Sequence, residues 1–255
     1  MGGYIDAHNH LADPQLDESR ADILLECVTR RFERLLVNST HPADWKQIIT
    51  LAKSHPLVIP HLGVHPWFCD DLPATWSTLL EKYLSDSRSA IGEIGLDGSK
   101  ASASDTLQEE IFTRQLTVAR TRNIPMSLHG TRRWHRLYNI IHDEGAPDCG
   151  FLLHAFNGDT GIARKFLDIG GYFSFGPTNL TERTQELLKL LPNERFFLET
   201  DCPKKSSAGD SLNSPLNVLS LYDTISELLG LSTEILIEVI SNNFNRLYRP
   251  LLSED

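Results

Sequence analysis

Stretches of strand length and stretches of helical period alternate through almost the whole chain, and no other feature limits its fold as tightly. The run "YIDAHNH" precedes the amphipathic "DESRADILLECVTRRF", "RLLVNS" precedes "PADWKQIITLAKSH", and "LVIPHLGVH" precedes "ATWSTLLEKYLSD". The pattern continues with "RSAIGEIGLD", "IPMSLHG", "GFLLHAF", "GYFSFGP" and "ERFFLETDCP", each followed by a segment of helical period, which makes eight strand-helix units. A last amphipathic segment, "STEILIEVISNNFNRLY", opens on a Ser-Thr cap signal and adds a C-terminal helix. Eight units in one unbroken series predict an α/β chain folded as a TIM (β/α)8 barrel rather than a doubly wound open sheet. The 255 residues suit that architecture as a single domain over residues 1–255.

In a barrel of parallel strands the strand C-terminal ends share one rim, so the residues at those ends decide the chemistry. His8 and His10 end the first strand two positions apart, which puts both imidazoles on one face together with Asp6. Glu93 closes the fourth strand, His129 the fifth, His154 the sixth and Asp201 the eighth. Any one of these histidines alone is more often a hydrogen-bonded core residue than a ligand. Six ligand-type residues at the same relative position in five units point instead to a metal site, and they are too many for one structural zinc. They suit a pair of divalent cations bridged by a carboxylate, with positions left open for water and substrate. His41, His55, His135 and His142 fall in loops or helices, and His61 lies early in the third strand, so these keep structural roles.

The balance of 24 basic against 34 acidic residues gives a formal charge of −10, which argues against wholesale attraction to nucleic acid. An anionic substrate therefore needs local help from bound cations and from short basic clusters such as "RRWHR". Glycines 92, 95 and 98 in "GEIGLDG" do not make a dinucleotide fingerprint, so no nucleotide cofactor is expected. Four scattered cysteines without a C-x-x-C pair suggest a reducing compartment. Apolar runs far shorter than the about 18 residues of a membrane span, and no basic-then-apolar start, predict a cytoplasmic protein without a membrane partner. A monomer is the expected state.

Taken in order, "DAHNHL", "GVHP", "GEIGLD", the histidine after "IPMSL", "LLHAFNG" and "LETDCP" resemble the TatD family of metal-dependent deoxyribonucleases, within the amidohydrolase superfamily. The closing "NNFNRLY" resembles the family's last helix, so the likeness spans nearly the whole chain. It implies a barrel hydrolase that cleaves DNA phosphodiesters, exonucleolytically on single-stranded or 3′ ends, with two divalent ions (Zn, Mn or Mg). It also implies His8, His10, Glu93, His129, His154 and Asp201 as ligands, with Glu93 bridging. The sequence departs from the family around the substrate loops. Arg132 follows His129 one residue late, only Asn213 and Pro215 survive of a loop element after "ETDCP", Trp67 stands where a second histidine is frequent, and Gly98 replaces an aromatic residue.

Asp201 is the candidate general base, with pure ligation as its alternative role. His65 is a candidate donor to a phosphate oxygen or to the leaving oxygen, or else a brace for its loop. Arg132, Arg133 and Lys204 are candidate phosphate contacts. Trp67 and Trp134 either stack on unpaired bases or pack beneath a loop. Glu199 shares a face with Asp201 and is a candidate partner for a ligand. Two rivals remain open at this level: an ester or amide hydrolase of the same superfamily, for example one acting on aminoacyl-tRNA, and a catalytically silent barrel that only binds nucleic acid.

Overall fold

The computed structural model of the chain describes residues 2–204 and 213–252. All eight expected strands form: β1 (Tyr4–Asn9), β2 (Phe32–Asn38), β3 (Val58–His61), β4 (Ile91–Gly95), β5 (Met126–His129), β6 (Phe151–Leu153), β7 (Gly171–Phe175) and β8 (Phe196–Leu198). The helices that alternate with them are α1 (Arg20–Thr29), α2 (Trp45–Ser54), α3 (Trp76–Asp86), α4 (Asp105–Arg122), α5 (Trp134–Glu144), α6 (Thr160–Asp168), α7 (Glu182–Leu190) and α8 (Val218–Leu229). The additional C-terminal helix is α9 (Thr233–Leu247), followed by the short α10 (Arg249–Leu252). Ser232 Oγ accepts the Ile235 amide at the start of α9, as its cap signal suggested.

Within each sheet, neighbouring strands pair in parallel and in sequence order, but the ladder runs as two arcs, β1-β2-β3 and β4-β5-β6-β7-β8, rather than as one continuous closed sheet. Short hydrogen-bonded seams join the arcs. At one seam Ala90 N donates to Pro60 O (2.9 Å), Leu62 N to Ala90 O (3.0 Å) and Gly92 N to Leu62 O (3.2 Å). At the other, Asp201 N donates to His8 O (2.9 Å) and His10 N to Cys202 O (2.8 Å). The Asp6 carboxylate reinforces the second seam by accepting from Thr200 N (2.8 Å) and Thr200 Oγ1 (2.7 Å). Asp6 is thus occupied between strands, and a register irregularity in β1 lies between it and Asn9.

Several strands are shorter than their apolar runs. After β3, Leu62 still pairs with Ala90 and Gly92, and from Gly63 the chain turns to a side-chain partner: Ser39 Oγ accepts Gly63 N (2.7 Å) and donates to Gly63 O (3.0 Å). The helices bury one stripe each against the strands, as Trp134, Leu137, Ile140 and Ile141 do in α5. Strand and helix faces merge into one contiguous apolar cluster. No helix among the described residues is long and apolar enough to cross a membrane.

α9 covers the end of the barrel away from the rim. Asn243 Nδ2 donates to Phe196 O at the first residue of β8 (2.9 Å), Ser241 Oγ donates to Glu33 near the start of β2 (3.0 Å), and the Arg34 guanidinium lies 5.5 Å from the Phe244 ring centroid. Just beyond α9, Tyr248 OH reaches His61 Nε2 (2.8 Å). Burial pushes the His61 imidazole down to about 3, so it stays neutral in the folded chain at neutral pH. An unfolded histidine titrates near 6.5, so the stability tied to a neutral His61 is present above that value and lost as pH falls towards 3. Between pH 6.5 and pH 5 this amounts to about 2 kcal/mol. Thermal melts over that range are expected to show a flatter acid limb for His61→Gln than for the wild type; superimposable limbs would place the acid sensitivity elsewhere.

Candidate metal centre

The site is organised around Glu93, whose carboxylate is buried. Glycines on either side let β4 approach its neighbours. A Cβ at Gly92 would meet Asn38 and Ser127, and one at Gly95 would meet the His129 backbone, at a φ of +141° that side chains rarely adopt. Glu93 is therefore brought within reach of five imidazoles. Oε2 lies 3.3 Å from His8 Nε2 and 3.3 Å from His10 Nε2. Oε1 lies 2.8 Å from His129 Nδ1, 3.3 Å from His154 Nε2 and 3.4 Å from His65 Nε2.

Asp201 completes the group, with Oδ1 3.7 Å from His10 Nε2. Its backbone φ of 52° is left-handed, a conformation that costs a residue with a side chain about 1 to 2 kcal/mol. On the other side of this carboxylate, Lys204 Nζ pairs with Oδ2 at 3.0 Å. The six residues expected from strand ends thus meet at one mouth, with His65 beside them. Ligand atoms from His8, His10 and Asp201 come close enough to share an ion, as do those from His65, Glu93 and His129, and from His8, His154 and Glu199.

The far nitrogens of the rings test whether this donor set fits a cation. His10 Nδ1 donates to the Asn38 carbonyl (3.0 Å), a group that can only accept. His154 Nδ1 bonds Glu199 Oε1 (3.1 Å), and His129 Nε2 bonds Asp97 Oδ2 (2.9 Å). His8 Nδ1 is held by Ser127 Oγ (2.8 Å). In the neutral form that metal binding requires, His10 Nε2, His154 Nε2 and His129 Nδ1 turn lone pairs towards an anionic carboxylate. Positive charge has to sit between them, and imidazoles fixed through the opposite nitrogen are how histidines are held to bind metal. The residues fit divalent cations.

Protonation shows the same demand for positive charge. Burial opposes charging His129, but hydrogen bonds to Asp97 and Glu93 push it up to about 9. Burial also opposes charging His154, and the charges of Glu199 and Glu93 push it up to about 9. Burial alone would raise Glu93, yet the surrounding imidazoles hold it well below the usual carboxylate range. In Asp201, likewise, the charges of His154 and Lys204 outweigh burial and keep the carboxyl low. His65 differs from the rest. Its Nδ1 accepts the Trp67 amide (3.1 Å), so the neutral ring carries its proton on Nε2, and burial pushes its pKa down to about 4.

Above the cluster opens a cavity of about 560 Å3, lined among others by Trp67, Lys204 and Lys100. Trp67 is partly exposed there, and its Nε1 donates to Asp97 Oδ2 (2.8 Å). Lys100 Nζ sits 5.3 Å from the Trp67 ring centroid. Arg132 and Arg133 do not line this cavity but an adjoining depression, and Arg133 is paired with Asp105. Trp134 is buried against Phe156 with ring centroids 4.8 Å apart, so it packs beneath its loop. Asn213 Nδ2 braces Thr200 O (2.6 Å), next to Asp201.

Sequence reasoning missed three supports. Asp97 holds both His129 and Trp67, Ser127 holds His8, and the Asn38 carbonyl holds His10. Asp97 had a readable signal, a carboxylate four residues after Glu93 on the same rim. The other two had none, since a serine within a strand and a backbone carbonyl carry no motif.

Residues 5–249 match the model of the family described as TatD related DNase. The human protein named deoxyribonuclease TATDN3 is 30% identical over 267 residues, covering 98% of this chain and 96% of that protein. A Bacillus subtilis protein, the uncharacterized metal-dependent hydrolase YabD, is 26% identical and covers 96% of this chain and 98% of its own. Among solved structures, the TatD homologue YJJV from Escherichia coli superposes with a TM-score of 0.87 at 22% identity, covering 96% of this chain and 98% of that one. The phosphotriesterase homology protein from Escherichia coli superposes with a TM-score of 0.72 at 14% identity, covering 97% and 99%, and these two structural likenesses establish the fold. The chain belongs to the TatD related DNase family.

Proposed function

We propose that the chain is a metal-dependent hydrolase that cleaves phosphodiester bonds of DNA, working exonucleolytically on single-stranded ends. His8, His10, Glu93, His129, His154 and Asp201 would hold two divalent cations. The observation that carries this reading is the single buried carboxylate contacted by five imidazoles, four of them held through the opposite nitrogen. The deoxyribonuclease name of the human relative supports the choice of substrate. One contiguous core supports reading residues 1–255 as a single domain, and four unpaired cysteines support a cytoplasmic setting. Nothing in the reaction calls for a second subunit, and we take the active form as a monomer.

Divalent ions held there supply an acidified water and positive charge against the oxygens of the transferring phosphoryl group. The chain's own groups do the rest. Asp201, kept ionised beside Lys204, accepts the proton of the attacking water. His65 carries a proton on Nε2 at neutral pH and donates a hydrogen bond to a phosphoryl or leaving oxygen. Glu199 and Asp97 fix the His154 and His129 rings, so their inward nitrogens need no reorganisation when substrate arrives. Trp67 and Lys204 border the space that a terminal nucleotide fills.

Chelated and then metal-reconstituted protein should be tested on end-labelled single-stranded DNA, with RNA, aminoacyl-tRNA and a cyclic amide in parallel. A DNA ladder shortening from one end after Zn, Mn or Mg is restored is the expected outcome. Glu93→Gln should lower kcat/KM by about a thousandfold while melting as a folded protein. Preferential hydrolysis of the aminoacyl ester, or binding without cleavage of any substrate, would defeat the assignment.

A second measurement addresses the ring supports. Glu199→Gln keeps the size of the side chain but replaces the carboxylate that accepts from His154. Calorimetric titration with zinc or manganese is expected to show affinity weakened by about 10- to 100-fold. Unchanged affinity would mean that Glu199 only fills the barrel.

A further inference from the structure

Beyond the lip of the metal cavity the same rim carries a second depression, with a volume of about 360 Å3. Three consecutive strand-to-helix loops build it: Arg132 and Arg133 follow β5, Gly158 and Asp159 follow β6, and Arg183 stands in the first turn of α7 after β7. These loops belong to the face on which His129 and His154 end their strands, the face where barrels of this kind bind substrate. Thr131 lines the metal cavity and Arg132, the next residue, lines the depression.

The depression is basic in a chain whose formal charge is −10. Arg133 is held by Asp105 (3.0 and 2.8 Å) and Arg136 by Glu109 (2.6 and 2.5 Å). Arg132 and Arg183 are exposed and make no ion pair with any described carboxylate. Asp159, also in the lining, caps α6 through the Ile162 amide (2.9 Å) and lies within reach of the charge of Arg183, with which it forms no ion pair. Arg132 has a left-handed backbone (φ 56°), a conformation that side chains adopt at a cost, and it stands ahead of α5 rather than within it. Trp134, buried beneath, gives the depression a fixed floor. Two exposed guanidinium groups outside any ion pair among the described residues, on the rim that carries the metal cluster, suit the oxygens of backbone phosphates.

We propose that this depression is a backbone subsite for the nucleic-acid strand leading away from the scissile bond, with Arg132 and Arg183 contacting its phosphates. The inference rests on the phosphodiesterase reading above and extends it. Contacts to phosphate alone carry no base preference, so the subsite selects for strand length rather than sequence. A substrate of several nucleotides spans both cavity and depression, and a dinucleotide occupies only the first.

The test compares the metal-reconstituted wild type with the double variant Arg132→Ala/Arg183→Ala. Substrates are a single strand of about twelve nucleotides and a dinucleotide, across a range of salt. Removing two charge-assisted contacts is expected to raise KM for the long strand by about tenfold or more. The slope of log affinity against log salt should become shallower by about 1.4, and the preference for the long strand over the dinucleotide should collapse. An unchanged salt slope and an unchanged preference would overturn the subsite, as would equal losses on both substrates. If the wild type cleaves neither substrate, the phosphodiesterase reading fails by itself. Fluorescence anisotropy of the labelled long strand with the two proteins then decides the subsite separately: equal affinities overturn it and weaker binding by the variant upholds it.

Discussion

A carboxylate buried in a protein interior is unfavourable unless positive charge or hydrogen bonds surround it, and Glu93 is the point at which this chain meets that demand. Its two oxygens are approached by imidazoles from β1, β5 and β6 and from the loop after β3. Each of those rings needs a second anchor to stay aimed inward, and the anchors come from further segments: Asn38 on β2, Asp97 beyond β4, Ser127 on β5 and Glu199 beyond β8. Glu199 is in turn tied to Ser174 and to the Ala155 amide. The polar layer at the rim is therefore one connected network, and a change in any strand's position is felt at Glu93.

The seams of the barrel follow from the same layer. The second seam is carried mostly by residues next to the cluster, with the His8 carbonyl, the His10 amide and the Asp201 amide all used as cross-strand partners. Backbone groups of the site thus hold the two arcs together while the side chains face the mouth. Asp6 belongs to this structural set, although its position in "DAHNH" sets it beside His8 and His10 in sequence.

Electrostatics set what can enter. A chain of charge −10 repels a polyanion at long range, and the cavity itself is lined by Asp13, Asp44 and Asp97 as well as by Asp201. Attraction has to be local. Divalent ions held in the cluster would reverse the field at its centre. Lys100 and Lys204 border the cavity, and the arginines of the neighbouring depression continue the positive track along the rim.

Much of this was legible in the sequence, because hydrophobic period and strand-end position are local properties. The alternation of runs determined eight parallel strands, the cap at Ser232 determined the start of α9, and strand ends named His8, His10, Glu93, His129, His154 and Asp201 as one group. Tertiary structure alone decided the rest. Which ring nitrogen faces Glu93 depends on partners up to 119 residues away, as with His8 and Ser127. That Arg132 turns to a separate depression depends on a left-handed backbone before α5, and that Trp134 is buried depends on Phe156 across the packing. The division has one cause: periodicity fixes the side of an element on which a residue lies, whereas an orientation or a hydrogen bond is fixed only by what another segment brings to meet it.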